Sequence, residues 1–293
     1  MIQLDKDKYF ELFETDYDQA GRYICRNVKG SLFRYRSFDE NGYNLDALKN
    51  KKLYLSSPEK LNDPWECIAF CEKIEYYDEL NNPNISIEEK EKILIERVGD
   101  GYKFISEEYK SSILNKIKEN TNEIEQLILR YREELYNQMK KNNKEFRIAC
   151  FSEKNDNILM WSHYADAHSG FCIEYDISDL RKFNYLYGFL APVKYLKRPN
   201  EVNYIKIDDK WAELRLKYNY CKCDYWMYEQ EWRIVLMEQD CINNCIDIIP
   251  PKHIYLGIKT TMENEEKIMK IAKEQNFGVS RMKMKYDKYE LYV

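Results

Sequence analysis

The stretch from Ala149 to Asp176 constrains this chain more than any other. Arg147–Phe151 is a brief apolar run that ends at Ser152, and Lys154–Asn157 is a turn-forming cluster in which Asn155 or Asp156 can cap a helix. Helical spacing then runs from Ile158 to Ala167. Ser169-Gly170 stops it with a residue that tolerates a left-handed cap. Phe171, Ile173 and Tyr175 alternate with Cys172, Glu174 and Asp176, the period of a half-buried strand. A polar, aromatic helix between two core strands fills a core poorly, and it lines a cleft well. Two of the three histidines, His163 and His168, fall inside this unit.

The flanking sequence supplies further strands and helices. Residues 1–30 predict amphipathic helix, with Tyr9, Phe10, Leu12 and Phe13 on one side. Ser31–Phe38 predicts a strand in which Leu32, Arg34 and Arg36 point one way and Phe33, Tyr35 and Ser37 the other. A short helix from Asn44 to Lys49 and a strand from Leu53 to Ser57 follow. Pro64 forces Asp63 out of helical geometry in the turn Leu61-Asn62-Asp63-Pro64-Trp65-Glu66, so Trp65 either reaches a cleft edge or anchors in the core. Later strands are predicted at Leu190–Leu196, within Tyr225–Met237, at Ile254–Ile258 and at Val279–Tyr286. Helices are predicted at Asp208–Tyr220 and Asn264–Gln275. Residues 86–144 are dominated by Glu, Lys, Asn, Ile and Leu at helical spacing, which predicts a helical insertion with solvated charged faces and room for a partner protein. The whole is expected to be one α+β domain spanning residues 1–293, with a mixed, mostly antiparallel β core and flanking helices.

Composition removes several function classes. A net charge of -5 argues against a broad basic coat for indiscriminate nucleic-acid binding. A local groove using Lys194, Lys197, Arg198, Lys283 and Lys285 stays open. No apolar run approaches the roughly 20 residues that span a bilayer, and Met1–Lys6 lacks a signal-peptide pattern, so the chain is expected to be cytoplasmic, without membrane contact. The nine cysteines follow no small-scaffold spacing. Cys221-x-Cys223, Cys241-x-x-x-Cys245 and His253 lack the two-residue gaps usual in zinc sites, so no metal is expected. Gly-rich phosphate loops and the Gly-x-Ser-x-Gly elbow are absent from a sequence with 9 glycines. Any nucleotide site must therefore be built from side chains.

Arg34/Arg36, Ser152/Glu153 and Glu229-Gln230-Glu231 with Arg233 are polar groups on otherwise apolar strands. An Arg on a core strand costs several kcal/mol to desolvate unless a carboxylate or phosphate meets it. Two solutions exist. One is a structural ion pair, Arg36 with Glu231 or Arg233 with a nearby acid. The other is a shared cleft in which an Arg fork holds a phosphate and a Glu acts on a sugar hydroxyl or a cationic centre. His163 is either a general base or a packing residue beside Trp161 and Tyr164.

Tyr35-Arg36-Ser37, Leu53–Pro58, Asn62-Asp63-Pro64-Trp65-Glu66, Cys150-Phe151-Ser152-Glu153, Met160–Asp166 with Gly170, and Tyr228–Arg233 together resemble the bacterial family called domain of unknown function 2971. A second resemblance is to ADP-ribosyltransferase-like folds, which place an Arg or His on the first core strand, a Ser or Tyr on a later strand-plus-helix, and a Glu on a late strand, often as Glu-x-Glu. That resemblance implies an enzyme using NAD to modify an acceptor of unknown kind, an effector in bacterial defence or toxin systems. It implies catalytic roles for Glu231, Glu229, Arg36, Ser152 and His163, and dinucleotide binding through Arg34, Arg36, Asn62, Asp63, Trp161 and Tyr164. The sequence departs from that pattern where Glu153-Lys154 follows Ser152 and where Ser37 follows Arg36. The alternatives are a non-catalytic nucleotide-sensing or interaction module and a nucleic-acid-binding or processing protein.

Overall fold

A computed structural model describes residues 2–67, 143–177, 189–197 and 217–293, the backbone of 69–70 and 200–201, and scattered positions between 82 and 141. Most of the predicted insertion, most of the Asp208–Tyr220 helix and Arg198 lie outside the described residues. The described chain is α+β, with a mostly antiparallel central sheet as the sequence predicts.

Seven strands form that sheet: β1 (Ser31–Arg36), β4 (Phe146–Ser152), β5 (Phe171–Asp176), β6 (Leu190–Pro192), β10 (Glu231–Met237), β12 (His253–Leu256) and β13 (Gly278–Arg281). Their order is β13-β12-β5-β1-β4-β10-β6, antiparallel throughout except for the β12–β13 pair. Short pairs surround it: β2 (Lys52–Tyr54) with β11 (Cys245–Asp247), β3 (Ala69–Phe70) with β8 (Asn200–Glu201), β7 (Lys194–Leu196) with β9 (Cys221–Cys223), and β14 (Lys283–Met284) with β15 (Leu291–Tyr292). The predicted strand 190–196 is thus two strands. Its first half pairs with β10 and its second with β9, with the break at Val193.

Helix α1 (Lys6–Thr15) and helix α2 (Tyr17–Asn27) replace the single predicted N-terminal helix. Asp16 ends the first and caps the second, its Oδ1 accepting from Gln19 N at 3.0 Å. Their buried residues Tyr9, Phe13, Ala20 and Ile24 join the main core, with Leu32, Phe151, Trp232 and Ile234 of the sheet. Helix α3 (Tyr43–Lys49) precedes β2. Helix α5 (Met262–Gln275), capped by Thr261, buries Ile268 and Ile271.

The spacing of β1 and β4 matters most for the site. The β4–β10 ladder runs for seven residue pairs and the β1–β5 ladder for six, but β1 meets β4 at Phe33↔Ser152 alone. Further along β4, Ile148 bonds Ser56 at 2.8 Å in both directions. Between those two contacts the strands part. The opening is a wedge bounded by β1, the segment after β2, and β4.

Helix α4 (Ile158–Tyr164) covers one face of the wedge. Its cap is Asn157, one residue later than expected, whose Oδ1 accepts from Leu159 N (2.9 Å) and Met160 N (3.2 Å). The helix also ends three residues early. Asp166, Ala167 and His168 follow in left-handed conformation, at φ 47°, 47° and 72°. Such a run is costly for L-residues and is held by Ala167 N and His168 N donating back to Ser162 O and Trp161 O. Gly170 is not the left-handed cap. It is glycine because a Cβ there would lie 2.2 Å from the Arg36 carbonyl oxygen. That close approach locks the turn against the end of β1.

Candidate active site

The wedge opens into a cavity of about 220 Å³. Four consecutive β1 residues, Phe33 to Arg36, line it together with Cys150, Phe151 and Ser152 of β4. Consecutive lining means that the cavity runs along the strand edge and is reached from both sheet faces. The register explains what each face contributes. Phe33, Ser152 and Glu231 lie in one row across β1, β4 and β10, so they share a face. Arg34 and Arg36 lie on the other face by alternation and enter the cavity through the gap between strands.

A buried ionic cluster closes the Glu231 side. Arg233, fully buried, donates from Nε to Glu231 Oε1 at 2.8 Å and from Nη2 to Glu231 Oε2 at 3.0 Å. Its Nη2 also meets Glu66 Oε2 at 3.0 Å, and its Nη1 donates to Asn219 O at 2.8 Å. Lys222 Nζ contacts Glu66 Oε1 at 2.8 Å, Glu229 Oε2 at 2.6 Å and Glu231 Oε2 at 3.3 Å. Tyr164 Oη donates to Glu229 Oε1 at 2.6 Å and accepts from Asn62 Nδ2 at 2.7 Å. Three carboxyls thus face two cations.

These contacts push the two late carboxyls apart. Burial disfavours charge on Glu231, but Arg233 and Lys222 outweigh it and hold the pKa at about 2. For Glu229, burial raises the pKa, Lys222 opposes, and the charge of Glu231 adds to the rise. One carboxyl is held ionised while its neighbour retains a proton more readily, the separation expected where two acids have different tasks. Tyr164 and Tyr195 are both pushed well above the usual phenol range, by burial first and by the carboxylates second, and they act as neutral hydrogen-bonding groups. Tyr195 Oη accepts from Glu231 N at 2.8 Å.

The predicted site residues divide. Arg34, Arg36, Asn62, Ser152, Tyr164, Glu229 and Glu231 all line the cavity. Ser152 Oγ donates to Glu229 O at 2.6 Å, which fixes the Glu-x-Glu backbone against β4. The ion pair foreseen between Arg233 and an acid is present. Arg36 pairs with no acid among the described residues. Its Nη1 donates to Tyr35 O at 2.9 Å, and burial pulls its pKa down. Three expected residues stand elsewhere. Trp161 is fully buried, donates from Nε1 to Asn155 O at 2.7 Å and packs edge-on against Tyr35, so it is core and no stacking platform. Asp63 is buried and holds the turn by accepting from Trp65 N at 2.9 Å, while Trp65 itself is exposed. His163 lies exposed beside Tyr228, outside the cavity lining.

With the site in place, comparison with known proteins gives one result. Residues 160–234 match the family model described as protein of unknown function (DUF2971). No curated protein and no solved structure matches the chain. The DUF2971 segment carries Tyr164, Lys222, Glu229, Glu231 and Arg233, and so most of the carboxyl cluster. Arg34, Arg36, Asn62, Glu66 and Ser152 lie ahead of it.

Two members of the cluster went unassigned in the sequence. Lys222 sits between Cys221 and Cys223 on a buried strand, the same signal of a cation among apolar neighbours that singled out Arg34 and Arg36. Glu66 ends the Asn-Asp-Pro-Trp-Glu turn, where the Pro and Trp drew attention from the acid beside them. Among the described residues no group of three or more His, Cys, Asp or Glu forms a metal site, and no helix is long and apolar enough to cross a membrane. The lysines expected to form a nucleic-acid groove are partly engaged: Lys194 pairs with Glu14, Lys285 with Glu290, and Lys283 lies over the Tyr292 ring.

Proposed function

We propose that this protein is an ADP-ribosyltransferase-like enzyme that uses NAD to modify an acceptor. The observation that carries the reading is that Arg36, Ser152, Tyr164, Glu229 and Glu231, drawn from three adjacent strands, helix α4 and the 3-10 turn Asp224–Glu229 that precedes β10, line a single cavity. NAD fits the side chains present. Arg34 and Arg36, which make no ion pair among the described residues, suit its phosphates, and a buried, ionised Glu231 suits a ribose hydroxyl and the positive charge that develops at the sugar. When bound, the dinucleotide supplies an N-glycosidic bond whose base leaves neutral.

The chain's own residues do the rest. Arg233 and Lys222 keep Glu231 ionised and immobile. Lys222 and Tyr164 hold the two oxygens of Glu229, Asn62 orients Tyr164, and Ser152 fixes the backbone that carries both carboxyls. Burial of Glu231, Glu229, Lys222 and Arg233 strengthens each of these interactions. A cavity of about 220 Å³ suits the ribosyl end of the dinucleotide, with the remainder extending beyond it.

A second reading has its own support. Both Glu231 oxygens already accept from Arg233, which suits a module that binds a nucleotide without turning it over. Labelled NAD incubated with cell lysate separates the two. The enzymatic reading expects label transfer that Glu231→Gln and Glu229→Gln each reduce by at least about a hundredfold. Binding without transfer by the wild-type protein supports the module instead.

A further inference from the structure

Among the described residues, the two most exposed aromatic side chains share one hairpin, made by β14, β15 and the turn between them. Tyr286 is 97% exposed and Tyr289 99%. Tyr292, half-buried, pairs with Lys283 across the strands, and the Lys283 ammonium lies 5.8 Å from the centre of its ring. Met284 pairs with Leu291 on the other face, where Leu291 is buried. A single exposed tyrosine needs no explanation, but three on one short hairpin are a concentration that the core does not use. Lysines interleave with them at 283, 285 and 288, and every residue from Lys283 to Glu290 is exposed. Lys283 and Lys288 make no ion pair among the described residues. Lys285 meets Glu290 in an exposed pair of the kind that is easily exchanged for another partner. The backbone beneath is anchored: Lys285 N donates to Glu290 O at 3.0 Å, and Met282 N to Leu256 O at 2.8 Å. Met282 and Leu291 pack in one small core with Met160 and Trp161 of α4.

We propose that this hairpin binds single-stranded nucleic acid, with Tyr286 and Tyr289 stacking on bases and Lys283 and Lys288 meeting phosphates. Every base has a flat face and every nucleotide a negative charge, so interleaved rings and ammonium groups match a strand without reading its sequence. A duplex hides its base faces in the stack and offers only the phosphates. The centres of protein interfaces are depleted of lysine, whereas here lysine recurs beside each ring. A membrane-inserting tip carries Trp, Phe or Leu, whereas this turn places Asp287 between its tyrosines. With a net charge of -5 on the whole chain, the attraction is confined to the hairpin and is sensitive to salt. The surface lies outside the cavity lining and rests on no part of the NAD reading.

Fluorescence anisotropy of labelled oligouridylate, oligothymidylate and a duplex of equal length, titrated with the full chain at rising salt, tests this. Cosedimentation with phosphatidylserine vesicles runs beside it. The variants are Tyr286→Ser with Tyr289→Ser, and Lys283→Gln with Lys288→Gln. All four side chains are exposed, so the fold should be kept, as circular dichroism checks. Wild type should bind single strands more tightly than the duplex, and the tyrosine variant should bind them about tenfold or more weakly. The lysine variant should lower the slope of log affinity against log salt by about 1.4. A preference for one strand identifies RNA or DNA as the ligand. No binding of either strand at about 50 mM salt, equal binding of the duplex, or binding that either variant leaves unchanged overturns the proposal. Vesicle binding without oligonucleotide binding overturns it in favour of a membrane surface, and binding of neither leaves the hairpin to a protein partner.

Discussion

The two sides of the cavity handle buried charge in opposite ways. Around Arg233, each guanidinium nitrogen finds an acceptor, and Lys222 meets three carboxyls within 3.3 Å. Around Arg34, one nitrogen is left without a partner. Both arginines stand on core strands of one sheet, so their strand setting does not account for the difference. A fully paired cluster holds strands together and sets the protonation of the groups facing the cavity. A guanidinium nitrogen buried without an acceptor costs the folded state its desolvation and is not repaid there.

Substituting the two arginines in turn gives the widest contrast. Arg233→Met leaves Glu231 and Glu66 buried without their guanidinium, and it should lower unfolding free energy by about 3–5 kcal/mol in a urea titration. A loss under about 1 kcal/mol would make the cluster ornamental and remove the contrast.

Acid should reveal the same cluster at a smaller scale. The Glu231 carboxyl lies at about 2 in the folded protein against an ordinary 4.5, so its stabilising contribution is complete above pH 4.5 and lost as pH falls toward 2. Denaturation midpoints for wild type should therefore fall more steeply across that window than those of Glu231→Gln. Parallel curves would mean that the ion pairs do not hold the proton off.

Tyr164→Phe removes one donor to Glu229 and should cost about 1 kcal/mol, with little change in fold by circular dichroism. The smallest effect is expected from Arg34→Met, within about 1 kcal/mol of wild type and of either sign, because it removes an unsatisfied charge of similar shape. A loss as large as that of Arg233→Met would show that the wedge arginine is structural after all.

Much of this arrangement was legible in the sequence, and what was missed has identifiable physical causes. Strand periodicity and the isolated polar groups on β1, β4 and β10 located Arg34, Arg36, Ser152 and Glu231, and Glu229 two residues ahead of β10, because a polar group on an apolar strand is costly enough to need a reason. Helical spacing could not tell core from cleft. Trp161 and Tyr164 lie three apart on α4, yet one is sealed behind Tyr35 and the other bonds Glu229. Local sequence marks Gly170 as a helix-stopping turn residue, since a close approach to the Arg36 carbonyl leaves no trace there. The parting of β1 from β4 was equally hidden. It depends on Ser56 capturing Ile148, a pairing across 92 positions of chain.

Nicotinamide release from NAD by the purified protein, measured beside NAD binding for wild type and Glu231→Gln, tests the central claim most directly. The account predicts release by wild type and binding retained by Glu231→Gln, with release reduced by at least about a hundredfold. Binding by both proteins with no release from either would contradict it.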